Sequence, residues 1–136
     1  MDMLLVRTRL KPSKVHGLGC FAAERIPRGT VVWTLDESID IQMPLAKLGS
    51  LSPPTERFYL TYGHVEMRDG EKIVILCGDH AKHMNHSDKP NVIEGDPDRE
   101  ENIAARDIEA GEELTCNYHA FDLDAVRKLS GALEPE

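Results

Sequence analysis

A mainly β, single-domain fold is what the sequence predicts, and three observations carry that prediction. The chain of 136 residues can bury one modest core and not two independent ones. Its apolar runs are short and punctuated by Gly, Pro and Asp, as in small sheets joined by turns. Few segments hold a helical period for long. No internal repeat, low-complexity tract or linker interrupts residues 1–136, so they read as one unit.

Taken in order, strands are expected at 4–9, 20–23, 30–35, 64–68, 72–76, 91–94, 103–107 and 114–118. The clearest turn is Asp69-Gly70, between the alternating pairs Val65/Met67 and Ile73/Ile75, where the positive φ of a tight hairpin is readily adopted. Pro27-Arg28-Gly29 and Ala110-Gly111 mark further turns. Residues 46–62 carry Pro53-Pro54 and a short apolar pattern at Phe58 and Leu60, which predicts an irregular insert containing a single helical turn. From Asp122 onward, Leu123, Val126 and Leu129 recur at helical spacing with Asp122 as the N-cap, predicting a short closing helix.

Sixteen Lys and Arg against twenty-four Asp and Glu give a net charge of −8. Such a balance repels phosphate backbones, argues against direct nucleic-acid binding and attracts a basic peptide, although acidic charge also serves solubility alone. Aromatic content is 5%, so the core must rest on Val, Ile, Leu and Ala, and each aromatic is individually informative. Cys20, Cys77 and Cys116 are odd in number, widely spaced and free of any CxxC pairing, which fits reduced thiols. The opening MDMLLVRTRL is broken by Arg7 and Arg9, too short for a leader core, and no later stretch approaches a membrane span. The expectation is a soluble intracellular protein without a membrane partner, cytoplasmic or, in a eukaryote, nuclear.

Three segments carry the chemistry. In the first, Lys14-Val15-His16-Gly17-Leu18-Gly19-Cys20-Phe21-Ala22 and then Ile26-Pro27-Arg28-Gly29, the glycines at 17 and 19 let backbone approach a ligand closely and offer its N–H and C=O groups. The third Gly and following helix of a dinucleotide fingerprint are absent. The second is Ala81-Lys82-His83-Met84-Asn85-His86-Ser87-Asp88-Lys89-Pro90-Asn91. The third is Ala104-Ala105-Arg106-Asp107-Ile108 followed by Gly111-Glu112-Glu113-Leu114-Thr115-Cys116-Asn117-Tyr118.

In this order over residues 14–118, the three resemble the SET-domain family of protein-lysine methyltransferases. The first is similar to its GxG opening and I-x-x-G turn, the second to A-R-F-I-N-H-S-C-x-P-N, and the third to A-x-R-x-I-x-x-G-E-E-L-T-x-x-Y. The resemblance implies a fold of small curved sheets, β-clip-like, with a knot-like C-terminal threading and a short C-terminal helix. It implies S-adenosylmethionine as cofactor, held by His16, Gly17, Leu18, Gly19, Asn85, His86 and Tyr118, with Phe121 covering the adenine or else packing the terminal helix. It makes Tyr118 the catalytic tyrosine. A channel for the substrate lysine would be lined by Tyr118, Cys116 and Tyr62, with Tyr59 the alternative to Tyr62. The implied partner is a basic, histone-like protein or peptide.

The chain also departs from the family pattern. Lys82-His83 stand where relatives carry Arg-Phe. Cysteine-rich zinc flanks are missing, so residues 119–130, or a second copy of the chain in a homodimer, would complete the channel. Cys116 occupies a position where relatives usually have Phe or Tyr; the smaller side chain leaves room for a methylated ammonium, and activity beyond monomethylation is expected.

Methyl transfer from a sulfonium to an amine is an in-line displacement that needs alignment and a neutral amine. Lysine starts charged, with a pKa of ~10.4, and an apolar channel beside a sulfonium disfavours that charge. Tyr118 is expected to position the amine rather than remove its proton, since a free phenol has a pKa of ~10. Two other classes stay open. Cys77, His80, His83 and His86 fall at a uniform spacing of three, with Cys20, Cys116 and His119 in addition, and could ligate zinc or another transition metal. The fold could also serve as a non-catalytic module that binds lysine peptides.

Overall fold

The computed structural model describes residues 4–130. Among these residues ten short strands form four small sheets. β1 (Thr8–Pro12) and β2 (Leu18–Ala22) make an antiparallel pair. β3 (Val31–Thr34), β9 (Glu101–Ala104) and β8 (Val92–Glu94) form a three-stranded sheet in the order β3-β9-β8. β4 (Ile41–Pro44), β6 (Glu71–Leu76) and β5 (His64–Arg68) form another in the order β4-β6-β5. β7 (Asn85–His86) and β10 (Thr115–Cys116) run parallel, with Asn85 opposite Thr115 and His86 opposite Cys116.

The hairpin at Asp69-Gly70 forms as its composition demands, both residues having positive φ, at 51° and 79°. Elsewhere the expectations shift. Residues 4–7 are not strand; Leu4 makes only an isolated bridge to Trp33, and β1 starts at Thr8. The strand expected at 103–107 is instead Glu101–Ala104. β4, largely exposed, and the two-residue β7 carry too little apolar alternation to be seen in sequence.

The insert differs most. Instead of a single turn it holds a 3-10 segment, Leu45–Ser50, and a ten-residue helix, α1 (Pro53–Tyr62). Pro53-Pro54 looks like a breaker, yet these residues occupy the first helical positions, where a missing N–H costs nothing. Ser52 precedes them with its carbonyl accepting from Glu56 N–H at 2.9 Å, and Gly63 ends the helix.

The C-terminal helix α2 (Ala125–Leu129) is present but reversed. Its N-cap is Asp124, not Asp122, and the apolar stripe faces solvent, with Leu123 58%, Val126 74% and Leu129 43% exposed. Asp122 is buried instead, its Oδ1 accepting from Val65 N–H at 3.0 Å and Asp124 N–H at 2.9 Å. That geometry turns the polar face of α2 inward.

Two cores sit beneath these sheets. The larger gathers Cys20, Ala22, Ile26, Val32, Trp33, Cys77, Met84, Val92, Ala104, Ile108 and Leu114. The smaller, Leu48, Val65 and Val74, is covered by residues of the insert including Tyr59 and Leu60. As expected from a low aromatic content, aliphatic side chains dominate both. Among the described residues no helix is long and apolar enough to cross a membrane.

Candidate active site

Three chain-distant segments meet at the parallel pair β7–β10. The Asn85 amide Nδ2 donates to the carbonyls of His16 (3.1 Å) and Leu18 (3.2 Å) and to Glu113 Oε2 (2.9 Å). The glycine loop is thereby tied to both later motifs. Gly17 sits at φ +48° with open space where a Cβ would point, so its role is conformational. Gly19 is different: a Cβ there would collide with the Glu113 carboxylate, whose Cδ would lie 2.9 Å away, and meet Ser13 Cβ at 3.0 Å. Ser13 Oγ donates to that carboxylate at 2.8 and 2.9 Å.

One residue along β7, His86 Nδ1 accepts from the Tyr118 N–H at 3.1 Å. The ring proton is therefore on Nε2, which donates to Asp88 Oδ1 at 2.8 Å. The Tyr118 hydroxyl donates to the Met84 carbonyl at 2.9 Å, so residues 84 and 86 hold Tyr118 at both ends. Burial, reinforced by Cys116, Asp122 and Glu113, raises the phenol well above its ordinary pKa. The phenol therefore stays protonated near neutrality.

Beyond Tyr118 opens a cavity of about 380 Å³. Tyr62, Cys116, Tyr118 and Phe121 line it, together with Trp33, Gly63, His64, Cys77, Met84, Asp122 and Lys128. Five carboxylates, of Glu66, Glu94, Glu100, Glu101 and Asp122, face three cations, of Arg68, Lys82 and Lys128. Burial pushes the Cys116 thiol up to about 12, so it enters as a small neutral side chain. Phe121 packs edge-on against His64 at 5.1 Å and Tyr118 at 6.1 Å.

The structure thus brings together Asn85, His86, Tyr118 and the carbonyls of His16 and Leu18 on one side, and Tyr62, Cys116, Tyr118 and Phe121 on the other. Tyr59 is the exception: it packs on the smaller core and does not line the cavity, whereas Tyr62 does. Phe121 belongs to the cavity wall and not to the glycine-loop side.

Several positioning residues were not assigned from sequence. Glu113 is a hub for Ser13 and Asn85. Asn91 clamps the strands from the far side, its Nδ2 donating to Glu113 O at 2.8 Å and its Oδ1 accepting from Thr115 N–H at 2.9 Å. Both lie inside the quoted motifs, which was the available signal. Asp122 and Lys128 had none.

The evenly spaced Cys77, His80, His83 and His86 do not converge. His80 Nδ1 pairs with Thr8 Oγ1 at 2.9 Å, His83 packs edge-on against Tyr62 at 5.1 Å, and His86 uses both nitrogens as described. Among the described residues no three His, Cys, Asp or Glu side chains are grouped so as to hold a metal ion.

A model of the SET domain matches residues 17–119 of this chain. The chain belongs to the SET-domain family. Solved structures agree on the fold. A chain of Chaetomium thermophilum Polycomb Repressive Complex 2 superposes with a TM-score of 0.68 at 23% identity, covering 94% of this chain and 18% of that one. The same complex in an autoinhibited conformation bound to S-adenosylmethionine gives 0.64 at 20% identity, covering 97% and 17%. A Plasmodium falciparum protein described as a histone methyltransferase gives 0.52 at 18% identity, covering 85% and 95%. This SET domain therefore spans under a fifth of the Polycomb chains it matches. No curated protein matches its sequence.

Proposed function

We propose that this SET domain is an S-adenosylmethionine-dependent protein-lysine N-methyltransferase acting on a basic protein or peptide. The observation that carries the reading is the placement of Tyr118, held by His86 and Met84 between the glycine loop and a tyrosine-lined acidic cavity.

The residues on the glycine-loop side fit the cofactor. His16, Gly17 and Leu18 are exposed, and the open space above Gly17 leaves backbone accessible to a ligand. Asn85 commits only its amide nitrogen to the loop, so its Oδ1 is left to accept from the cofactor's amino group. When bound, S-adenosylmethionine supplies an electrophilic methyl on a sulfonium. His86, held in one tautomer, presents its ring beside Tyr118 at 5.3 Å.

On the cavity side the carboxylates attract a cationic side chain, while Met84, Cys116 and Tyr118 present a less solvated interior in which the neutral amine is favoured. The amine loses its proton to solvent before transfer. Tyr118 donates to Met84, which locks the hydroxyl rotor and leaves its oxygen to accept from the amine and orient the lone pair. Cys116 at the wall leaves volume that a larger aromatic would fill, and dimethyl or trimethyl product is expected.

The test is transfer of labelled methyl to a histone-type substrate, with Tyr118→Phe beside the wild type. Turnover should fall at least tenfold, about 1.4 kcal/mol of barrier, with cofactor affinity nearly unchanged. Equal turnover in the two proteins removes Tyr118 from this role. Wild type without any transfer, while still binding cofactor and lysine peptide, favours the non-catalytic binding module.

A further inference from the structure

We infer that Asp122, the Gly63 carbonyl and the ring of Tyr118 form an ammonium-binding subsite in the cavity wall, which the chain fills with its own Lys128 and which the charged lysine of a substrate would take over. The inference rests on the methyltransferase reading only for the identity of the incoming group.

The subsite is complete for one ammonium. Lys128 Nζ lies 2.8 Å from Asp122 Oδ2, donates to the Gly63 carbonyl and stands 5.4 Å over the centroid of the Tyr118 ring. An ammonium offers three donors and is drawn to an aromatic face. The Asp122 side chain is 0% exposed and that of Lys128 is 11% exposed. Oδ1 of Asp122 is used by two backbone amides, whereas Oδ2 meets the Lys128 ammonium and, among the described residues, no other hydrogen-bond donor. A buried carboxylate oxygen with a cationic partner cannot cheaply lose it, so the empty subsite is disfavoured relative to one that holds an ammonium.

The helix that supplies the cation is weakly held by other means. α2 has five residues and buries only Ala125, while Leu123, Val126 and Leu129 point to solvent. A helix this short is not stable alone. Its anchor is the inward Lys128. Exchange of one ammonium for another leaves the Asp122 pairing intact, whereas withdrawal without replacement strands a buried charge. Lys128 is thus an occupant that a substrate lysine displaces, and its departure frees α2.

The intact protein tests this in two ways, without cofactor. The probes are a synthetic alanine-rich peptide with one lysine and the same peptide with norleucine in its place. Lys128→Met should bind the lysine peptide at least tenfold more tightly than wild type, about 1.4 kcal/mol, with no gain for the norleucine peptide and none in the double variant Asp122→Asn/Lys128→Met. Because Lys128→Met breaks a buried ion pair, hydrogen exchange is also followed in the wild type. Saturating lysine peptide should accelerate the amides of Lys128 and Ser130, which bond to the carbonyls of Asp124 and Val126, and norleucine peptide should not. Unchanged exchange under saturating lysine peptide, or a folded Lys128→Met with wild-type affinity, overturns the subsite. Methyl transfer in either case leaves the enzymatic reading standing, whereas displacement of α2 without any methyl transfer preserves the subsite and removes that reading.

Discussion

The glycine loop and the C-terminal helix approach Tyr118 differently: the loop is tied by the three hydrogen bonds of the Asn85 amide to β7, whose next residue His86 holds Tyr118, whereas the helix meets the Tyr118 ring directly through one ammonium. On the loop side, Asn85, Glu113, Ser13 and Asn91 join four stretches of chain, and Asn85 Nδ2 and Glu113 Oε2 each have partners in more than one of them. Moving any one group unseats several others. On the helix side, the inward contacts are the Lys128 ammonium and the small Ala125, while the larger apolar side chains face outward. On the proposed reading, a cofactor that must be aligned to fractions of an ångström would be served by the first construction, and a substrate that must enter and leave by the second.

This contrast can be broken or sharpened by substitution. The largest effect is expected at Asn85→Ala, which removes the donor to His16, Leu18 and Glu113 at once; unfolding in denaturant should show a loss of about 3 kcal/mol, with cofactor binding lost as well. Gly19→Ala should come next, at about 2 kcal/mol, because the new methyl expels the Glu113 carboxylate from Ser13 and Asn85. Glu113→Ala placed on top should add little further loss, since Gly19→Ala has already taken that carboxylate from Ser13 and Asn85. Val126→Ser on the other side should change stability by less than about 0.5 kcal/mol, since Val126 is 74% exposed; a loss above that would mean the stripe is buried by something in solution.

The smallest effect at neutral pH concerns Cys20, on the loop side. Burial, only partly offset by the hydrogen bond to Thr8, pushes its thiol from 9.0 up to about 12. The folded-state value is the higher one, so the contribution is complete below about pH 9 and is lost as pH rises toward 12. Stability followed by circular dichroism should hold to pH 9 and then decline, and Cys20→Ala should decline less steeply.

The candidate site was readable to different depths. Asn85, His86 and Tyr118 stood at fixed spacings within long motifs, because each must meet backbone groups of another segment and no neighbouring position reaches them. Tyr62 and Tyr59 could not be separated from sequence: three residues apart on one helix, they differ in which face α1 turns to the cavity. That helix was itself underestimated, since Pro53-Pro54 reads as a break unless its position at the N-terminus is known. Glu113 and Asn91 were visible as motif letters but not as a clamp, because their roles exist only across strands.

Family membership, the mainly β character, the Asp69-Gly70 hairpin and the identities of Asn85, His86 and Tyr118 were determined by the sequence alone, through local backbone preference and through spacing. Tertiary structure alone decided that Asp122 is buried rather than capping, that Leu123, Val126 and Leu129 face solvent, and that Lys128 lies against Tyr118. The physical reason is that helical spacing specifies which residues share a face, while the side to which that face turns depends on a competition between burying three apolar side chains and pairing one buried carboxylate. In this SET domain the carboxylate prevails.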